Sequence, residues 1–407
     1  MKRMITLTLA ALLALTGLSA FADEPGVRDY TPLKELSVDN GFTLGAALGY
    51  EQMADPIYLM TVKHHFDTVT PTNELKAYSL LDQRACQNST DGMPCMNYEK
   101  ADKMVEWAMK NGLKVRGHVL VWDAYMPQWF FHEGYDTSKP IASRETMLLR
   151  MRSYIEDVIC HFEDKYPGVV YCWDVVNEAV GDSASEYKAD DPRHVRTMRS
   201  GSANPFYEYV GPDYVEYAFL YAADTVDLLG ADITLFYNDY NMFHMGKREA
   251  AIELVKSINA FAMDENGNPR QLCNGVGMQG YIGGYGTQSG CMKESNLNDI
   301  KKSILMFHDE LGVEVQLTEM AVRNYDSSLE QKHGEFYQKL FKVFKSINRG
   351  LEEPILTSVS IWGLVDTPYV SSSSYGYKMN GTYGGLFGWQ CKVKEAFRLV
   401  HAELAAD

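Results

Sequence analysis

The chain has 407 residues, with 54 acidic against 38 basic side chains and a formal charge of −16 at neutral pH. So acidic a chain repels phosphates, which argues against nucleic acid and anionic membranes as partners and suits a neutral polymer. Aromatic residues make up 12% of it, and their faces can stack on the C–H face of a pyranose as well as fill a core.

At the N-terminus Lys2 and Arg3 precede a mostly apolar run from Ile5 to Leu15. Ala20-Phe21-Ala22 then supplies the small residues of a peptidase site before Asp23, so residues 1–22 read as an export signal. The apolar run is short of the roughly 20 residues that span a bilayer. A secreted product is expected, extracellular or periplasmic according to the source, with residues 23–407 forming one domain.

Seven cysteines follow, and export permits them to pair. Cys86 and Cys95 flank the turn-rich Asn88-Ser89-Thr90-Asp91-Gly92, and Cys273 and Cys291 flank a glycine-rich run. Both pairs are candidate loop staples. Cys160 and Cys172 either pair or remain buried thiols on a helix and a strand, and Cys391 is left over. No spacing matches a zinc site, and no cofactor or metal is expected.

Short β-branched or apolar runs begin near Phe42, Val69, Lys114, Val169, Ile233, Gly275, Glu314 and Thr357. Between them lie stretches of helical period, among them Tyr98–Lys110, Glu145–Glu163, Tyr214–Leu229 and Leu329–Ile347. Strands alternating with helices in this number predict an α/β fold, a (β/α)8 TIM barrel. No linker signals an appended module, and the serines Ser371 to Ser374 read as a surface loop.

In such a barrel reactive groups collect at the C-terminal ends of the strands. Here those ends carry Asn73 and Lys76, His118 and Trp122, Asn177 and Glu178, Asn238 and Asn241, Gln279 and Tyr281, Glu319, and Trp362. The run Trp173-Asp174-Val175-Val176-Asn177-Glu178 is an apolar strand ending in an amide and an acid, and Val315 to Glu319 is a second strand ending in an acid. Cleavage of a glycosidic bond needs two carboxyl groups flanking one linkage, one of them protonated. Acids so remote in the chain meet only if a barrel joins the fourth and seventh strands, and a separation of ~5–5.5 Å is then expected, the spacing for retention of configuration. Glu178 is assigned as acid/base, Glu319 as nucleophile, and Asn177 as a partner of the sugar 2-hydroxyl. The alternative is that each acid caps the following helix.

The whole chain after the leader resembles glycoside hydrolase family 10, whose main activity is endo-1,4-β-xylanase. Trp173 to Glu178 reads as its acid/base motif, Thr318-Glu319 as its nucleophile strand, and Thr70 to Lys76 as its second-strand segment. Arg116-Gly117-His118 through Trp122, Asn238-Asp239-Tyr240-Asn241, Gly275 to Gln279 and Ile361-Trp362-Gly363 match further segments. The resemblance implies that Asn73, Lys76, His118 and Trp122 hold sugars on the non-reducing side of the cut, with Gln279 and Trp362 completing the central wall. It also implies xylan and xylo-oligosaccharides as partners; a monomer is expected, although no residue pattern encodes the oligomeric state.

Departures from the family pattern are as informative. Thr72 stands where a Glu is usual, Asp123 and Tyr125 replace a His and a Gln, and Tyr369 is a candidate substitute for a final-strand Trp. Tyr281 and Ala321 replace a His and an Asp that form a hydrogen-bonded pair beside the nucleophile. Loss of both partners together is coherent, and the Tyr281 hydroxyl is expected to bond Glu319 directly. The glycine-rich run from Gly280 to Gly290 is read as a loop carrying Tyr281 and Tyr285. Two rival readings remain: a retaining β-glycosidase of the same barrel acting on β-glucan or aryl glycosides, and a non-catalytic sugar-binding barrel.

Overall fold

Eight apolar segments of four to nine residues form parallel strands in a computed structural model that describes residues 25–183, 185–282, 292–367 and 382–406. They are β1 (Thr43–Leu48), β2 (Thr68–Pro71), β3 (Lys114–Val121), β4 (Val170–Asn177), β5 (Thr234–Tyr240), β6 (Gly275–Gln279), β7 (Glu314–Val322) and β8 (Leu356–Ile361). Each begins within one residue of its predicted start. Every strand pairs in parallel with its sequence neighbours, and residues 43–46 of β1 pair with residues 358–361 of β8. That last pairing closes the sheet, so no edge is left exposed.

A helix follows each strand: α1 (Pro56–His65), α2 (Glu99–Lys110), α3 (Arg144–Lys165), α4 (Tyr214–Leu229), α5 (Met245–Asn259), α6 (Glu294–Leu311), α7 (Glu330–Asn348) and α8 (Glu395–Ala405). In α2 the buried residues are Ala101, Met104, Val105 and Ala108, a single apolar stripe at helical spacing. Ser143 caps the start of α3 through its side chain. Gly230 and Gly312 end α4 and α6 in the left-handed region, where only the absence of a Cβ makes the turn cheap.

Beneath the strand ends the barrel interior is polar. Arg116, 1% exposed, is ion-paired with the fully buried Asp174 and donates through Nε to Gln316 Oε1 (3.1 Å). Asp174 Oδ2 also meets His118 Nδ1 at 2.8 Å. Burial alone would push the Asp174 carboxyl up, but Arg116 and His118 hold it below the ordinary range. The layer fits because Gly277 has no side chain: a Cβ there would lie 2.4 Å from Asn238 Oδ1 and 2.9 Å from Arg116 Nη2.

The six described cysteines are free. The candidate staple between Cys86 and Cys95 is absent, and hydrogen bonds take its place. The Cys95 N–H donates to Cys86 Sγ (3.1 Å), and the Cys86 thiol donates to the Cys95 carbonyl (3.5 Å). Cys160 on α3 and Cys172 in β4 are unpaired thiols, the second of the two sequence readings. Cys291, residues 1–22, Tyr285, Tyr369 and the run Ser371 to Ser374 lie outside the described residues. Gly277→Ala is expected to cost about 1–3 kcal/mol by overpacking the polar layer. The cost is read as a lower urea midpoint at unchanged slope, and an unmoved midpoint would contradict this account of Gly277.

Candidate active site

Glu178 leaves β4 with φ 57°, in the left-handed region. That conformation costs a residue with a Cβ about 1–3 kcal/mol and persists only where its surroundings enforce it. Here the Glu178 N–H donates to the Asn238 carbonyl (2.8 Å), and the Glu178 carbonyl accepts from Arg196 Nε (3.1 Å) and Arg199 Nη2 (3.2 Å). Glu319 does not end its strand, as the sequence reading had it: β7 continues to Val322. The register of β7 against β8 shifts between Leu317 and Met320. A shift of that kind re-aims the side chains within it, and Glu319 is one of them.

The two carboxylates hang from one set of amides. Thr318 Oγ1 donates to Asn238 Oδ1 (2.7 Å), which turns Asn238 Nδ2 toward Asn177 Oδ1 (2.9 Å) and Glu319 Oε1 (3.2 Å). Gln279 Nε2 reaches Asn177 Oδ1 (3.1 Å) and Glu178 Oε1 (3.2 Å). Asn177, 1% exposed, keeps a buried Nδ2 with no hydrogen-bond partner among the described residues. An unmet buried donor costs about 1–3 kcal/mol, and Asn177, expected to meet the sugar 2-hydroxyl, lies beneath the cleft rather than among its lining residues.

The Tyr281 hydroxyl donates to Glu319 Oε2 at 2.6 Å, the bond expected from the paired departures at Tyr281 and Ala321. Tyr281 begins not a loop but a short strand, Tyr281–Ile282, with Tyr281 directly opposite Ala321 of β7. The phenol therefore spans to the carboxylate from the position facing the vacated acid.

A cleft of about 690 Å³ opens over these groups. Asn73, Lys76, His118, Trp122, Gln279, Tyr281 and Trp362 line it together with Glu178 and Glu319. Lys76 donates to Asn73 Oδ1 (3.2 Å), and its ammonium lies 4.3 Å from the Tyr125 ring centroid and 5.1 Å from that of Trp122. Burial lowers the affinity of Lys76 for its proton, against the pull of Glu319, Glu178 and Glu74. Asn238 lies under the cleft rather than in its wall. Asn241 turns the chain after β5 in the left-handed region (φ 56°) and does not line the cleft.

Sequence reasoning missed the wall contributed between β4 and α4. Arg196 and Arg199 come from this excursion, which contains a short hairpin of Met198–Arg199 against Ser202–Ala203. Arg196 is bound bidentately to Asp182 (2.8 and 3.0 Å), and Arg199 bridges Asp123 and Glu178. The only signal for this wall was the unusual Asp123, since the excursion has no periodic pattern.

A closed parallel barrel bearing two glutamates on shared amide supports at its strand-end rim is a glycoside-hydrolase arrangement. The chain belongs to glycosyl hydrolase family 10, matching it over residues 32–403. It is 32% identical over 351 residues to endo-1,4-β-xylanase A of Thermotoga maritima, covering 83% of this chain and 28% of the relative. It is 29% identical to endo-1,4-β-xylanase B of Butyrivibrio fibrisolvens, covering 90% of this chain and 52% of the relative. The chain thus spans about a quarter to a half of the length of these relatives. The CBM22-1–GH10 modules of Clostridium thermocellum endo-1,4-β-D-xylanase 10B, complexed with xylohexaose, superpose with a TM-score of 0.76 at 25% identity, covering 92% of this chain and 67% of that one.

Burial is the largest influence on Glu178 and raises its carboxyl above the ordinary glutamate value. Arg199 opposes it, Asp239 and Glu319 add to it, and Gln279 opposes it. A carboxyl raised on folding contributes stability while protonated and loses it as pH climbs through the folded value. Against Glu178→Gln, neutral at every pH, the parent is therefore expected to lose stability as pH rises from about 4 to 7. A difference in melting temperature between the two that stays constant over that range would contradict the burial argument.

Proposed function

We propose that the protein is a secreted, retaining endo-1,4-β-xylanase that hydrolyses internal linkages of xylan without a metal or cofactor. The observation that carries this reading is the pair of buried glutamates tied to the same Asn177–Asn238–Gln279 amides in one cleft. The choice of xylan is supported by family membership and by relatives named endo-1,4-β-xylanase, one of them solved with xylohexaose. Secretion is supported by the leader-like residues 1–22.

In the first step a Glu319 oxygen attacks the anomeric carbon. The bond from that carbon to the bridging oxygen breaks, and the leaving oxygen takes the Glu178 proton, giving a glycosyl ester and a shortened chain. In the second step water attacks the same carbon and gives its proton to Glu178, and the ester bond breaks to restore the Glu319 carboxylate. Two displacements on one carbon retain its configuration. The raised Glu178 carboxyl supports its role as the acid of the first step. His118, whose Nδ1 is engaged by Asp174, has Nε2 to offer the sugar on the non-reducing side.

Incubation with xylan should release reducing ends whose first anomer is β by NMR, whereas a soluble cellulose derivative should be cut slowly or not at all. Glu178→Gln and Glu319→Gln are each expected to lose about 10²–10⁴-fold in rate. An added nucleophile such as azide should restore the Glu178 variant on substrates with good leaving groups. Faster release from the cellulose derivative would favour the β-glucanase reading, and a first anomer of α configuration would exclude retention. Tyr281→Phe removes the hydrogen bond to Glu319 Oε2. Its rate should fall at unchanged folding; a rate equal to the parent's would show that the 2.6 Å contact has no part in the reaction.

A further inference from the structure

Glu178 is gripped from a direction that the two-carboxylate chemistry does not require. Arg199 Nε and Nη2 each meet one oxygen of Asp123 at 2.9 Å, a bidentate anchor. The remaining nitrogen, Nη1, points at Glu178 Oε2 (2.7 Å), while Nη2 also reaches the Glu178 carbonyl (3.2 Å). The side chains of Asp123 and Arg199 are 3% and 21% exposed, so water screens the pair little. Gln279 holds the other Glu178 oxygen. Donors on both oxygens, one of them a cation, match a carboxylate; a carboxylic acid must instead spend one oxygen on its own proton.

We propose that Arg199, anchored on Asp123, is a positioning residue that holds Glu178 as the base of the second step, while the Asp123 charge offsets that of Arg199 so that Glu178 can also carry the proton of the first. The inference rests on the acid/base role of Glu178 proposed above. Other charged and titratable groups face the same carboxyl: Lys76 after β2, Arg196 of the excursion, Asp239 of β5 and Glu319 of β7 with its partner Tyr281. None of them links Asp123 to Glu178. Among the described residues only Arg199 does so, and the two ends of that link carry opposite electrostatic consequences.

Removing Arg199 leaves Glu178 beside an uncompensated Asp123 anion, which favours the protonated acid. Removing the Asp123 charge leaves Glu178 beside an uncompensated cation, which favours the carboxylate. The basic limb of kcat/KM reports loss of the acid's proton in the free enzyme. On an aryl xylobioside, Arg199→Met should therefore move that limb up by about one pH unit or more, and Asp123→Asn should move it down. Arg199→Met should also show a burst of aryl alcohol, because the second step becomes limiting. Arg199→Lys should restore much of the parent profile.

Where Arg199→Met does not fold, the double variant Asp123→Asn/Arg199→Met removes both charges and should return the limb of Asp123→Asn close to the parent. Limbs that move together, or that stay fixed in folded variants, would overturn the proposal. A parent protein inactive on both xylan and the aryl xylobioside would instead overturn the underlying functional reading, so the two failures are distinguishable.

Discussion

The site depends on the orientation of one buried carboxamide. The Thr318 hydroxyl fixes which end of Asn238 faces it, and the opposite end then donates to Asn177 and to Glu319. Asn177 and Asn238 are direct partners across β4 and β5, and Asn238 is the partner of Gly277 across β5 and β6. Register therefore brings the amides together, and Gly277 leaves the space that Asn238 occupies. Two carboxyl groups in one buried cleft repel each other and resist desolvation. The amides meet that difficulty with donors already in place, so in the proposed reaction little reorganisation is needed when charge moves.

The barrel carries costs at the same place. Glu178 occupies a backbone conformation that the three hydrogen bonds to its amide and carbonyl must enforce. Below it, Arg116, Asp174 and Gln316 form a polar layer in a position that apolar side chains commonly fill. Replacing such a layer by packed hydrophobes is often neutral or stabilising. Its function here is positional: Asp174 orients His118 through Nδ1, and His118 lines the cleft. Stability is thus given up at the strand ends and recovered in the apolar contacts between strands and surrounding helices.

Much of this was legible in the sequence. Strand starts followed from β-branched runs, and α4 matches its predicted span from Tyr214 to Leu229. The Tyr281–Glu319 bond followed from two departures that make sense only together, since loss of either partner alone strands a polar group. The unread parts have physical causes. Arg199 reaches the site from an excursion whose fold is set by ion pairs to distant residues, and no period encodes that. Cys86 and Cys95 were rightly brought close, but spacing does not distinguish a disulfide from a thiol that accepts a backbone N–H. Glu319 looked like a strand end because a register shift cannot be seen in one strand's own residues.

The most direct measurement is mass spectrometry of the protein after exposure to a 2-deoxy-2-fluoro-xylobioside with a good leaving group. The fluorine slows both displacements, while the leaving group lets the first proceed. The account predicts one fluoro-xylobiosyl adduct per chain, located by peptide mapping on Glu319. An active protein that forms no adduct, or carries it on another residue, would contradict the assignment of the two carboxylates.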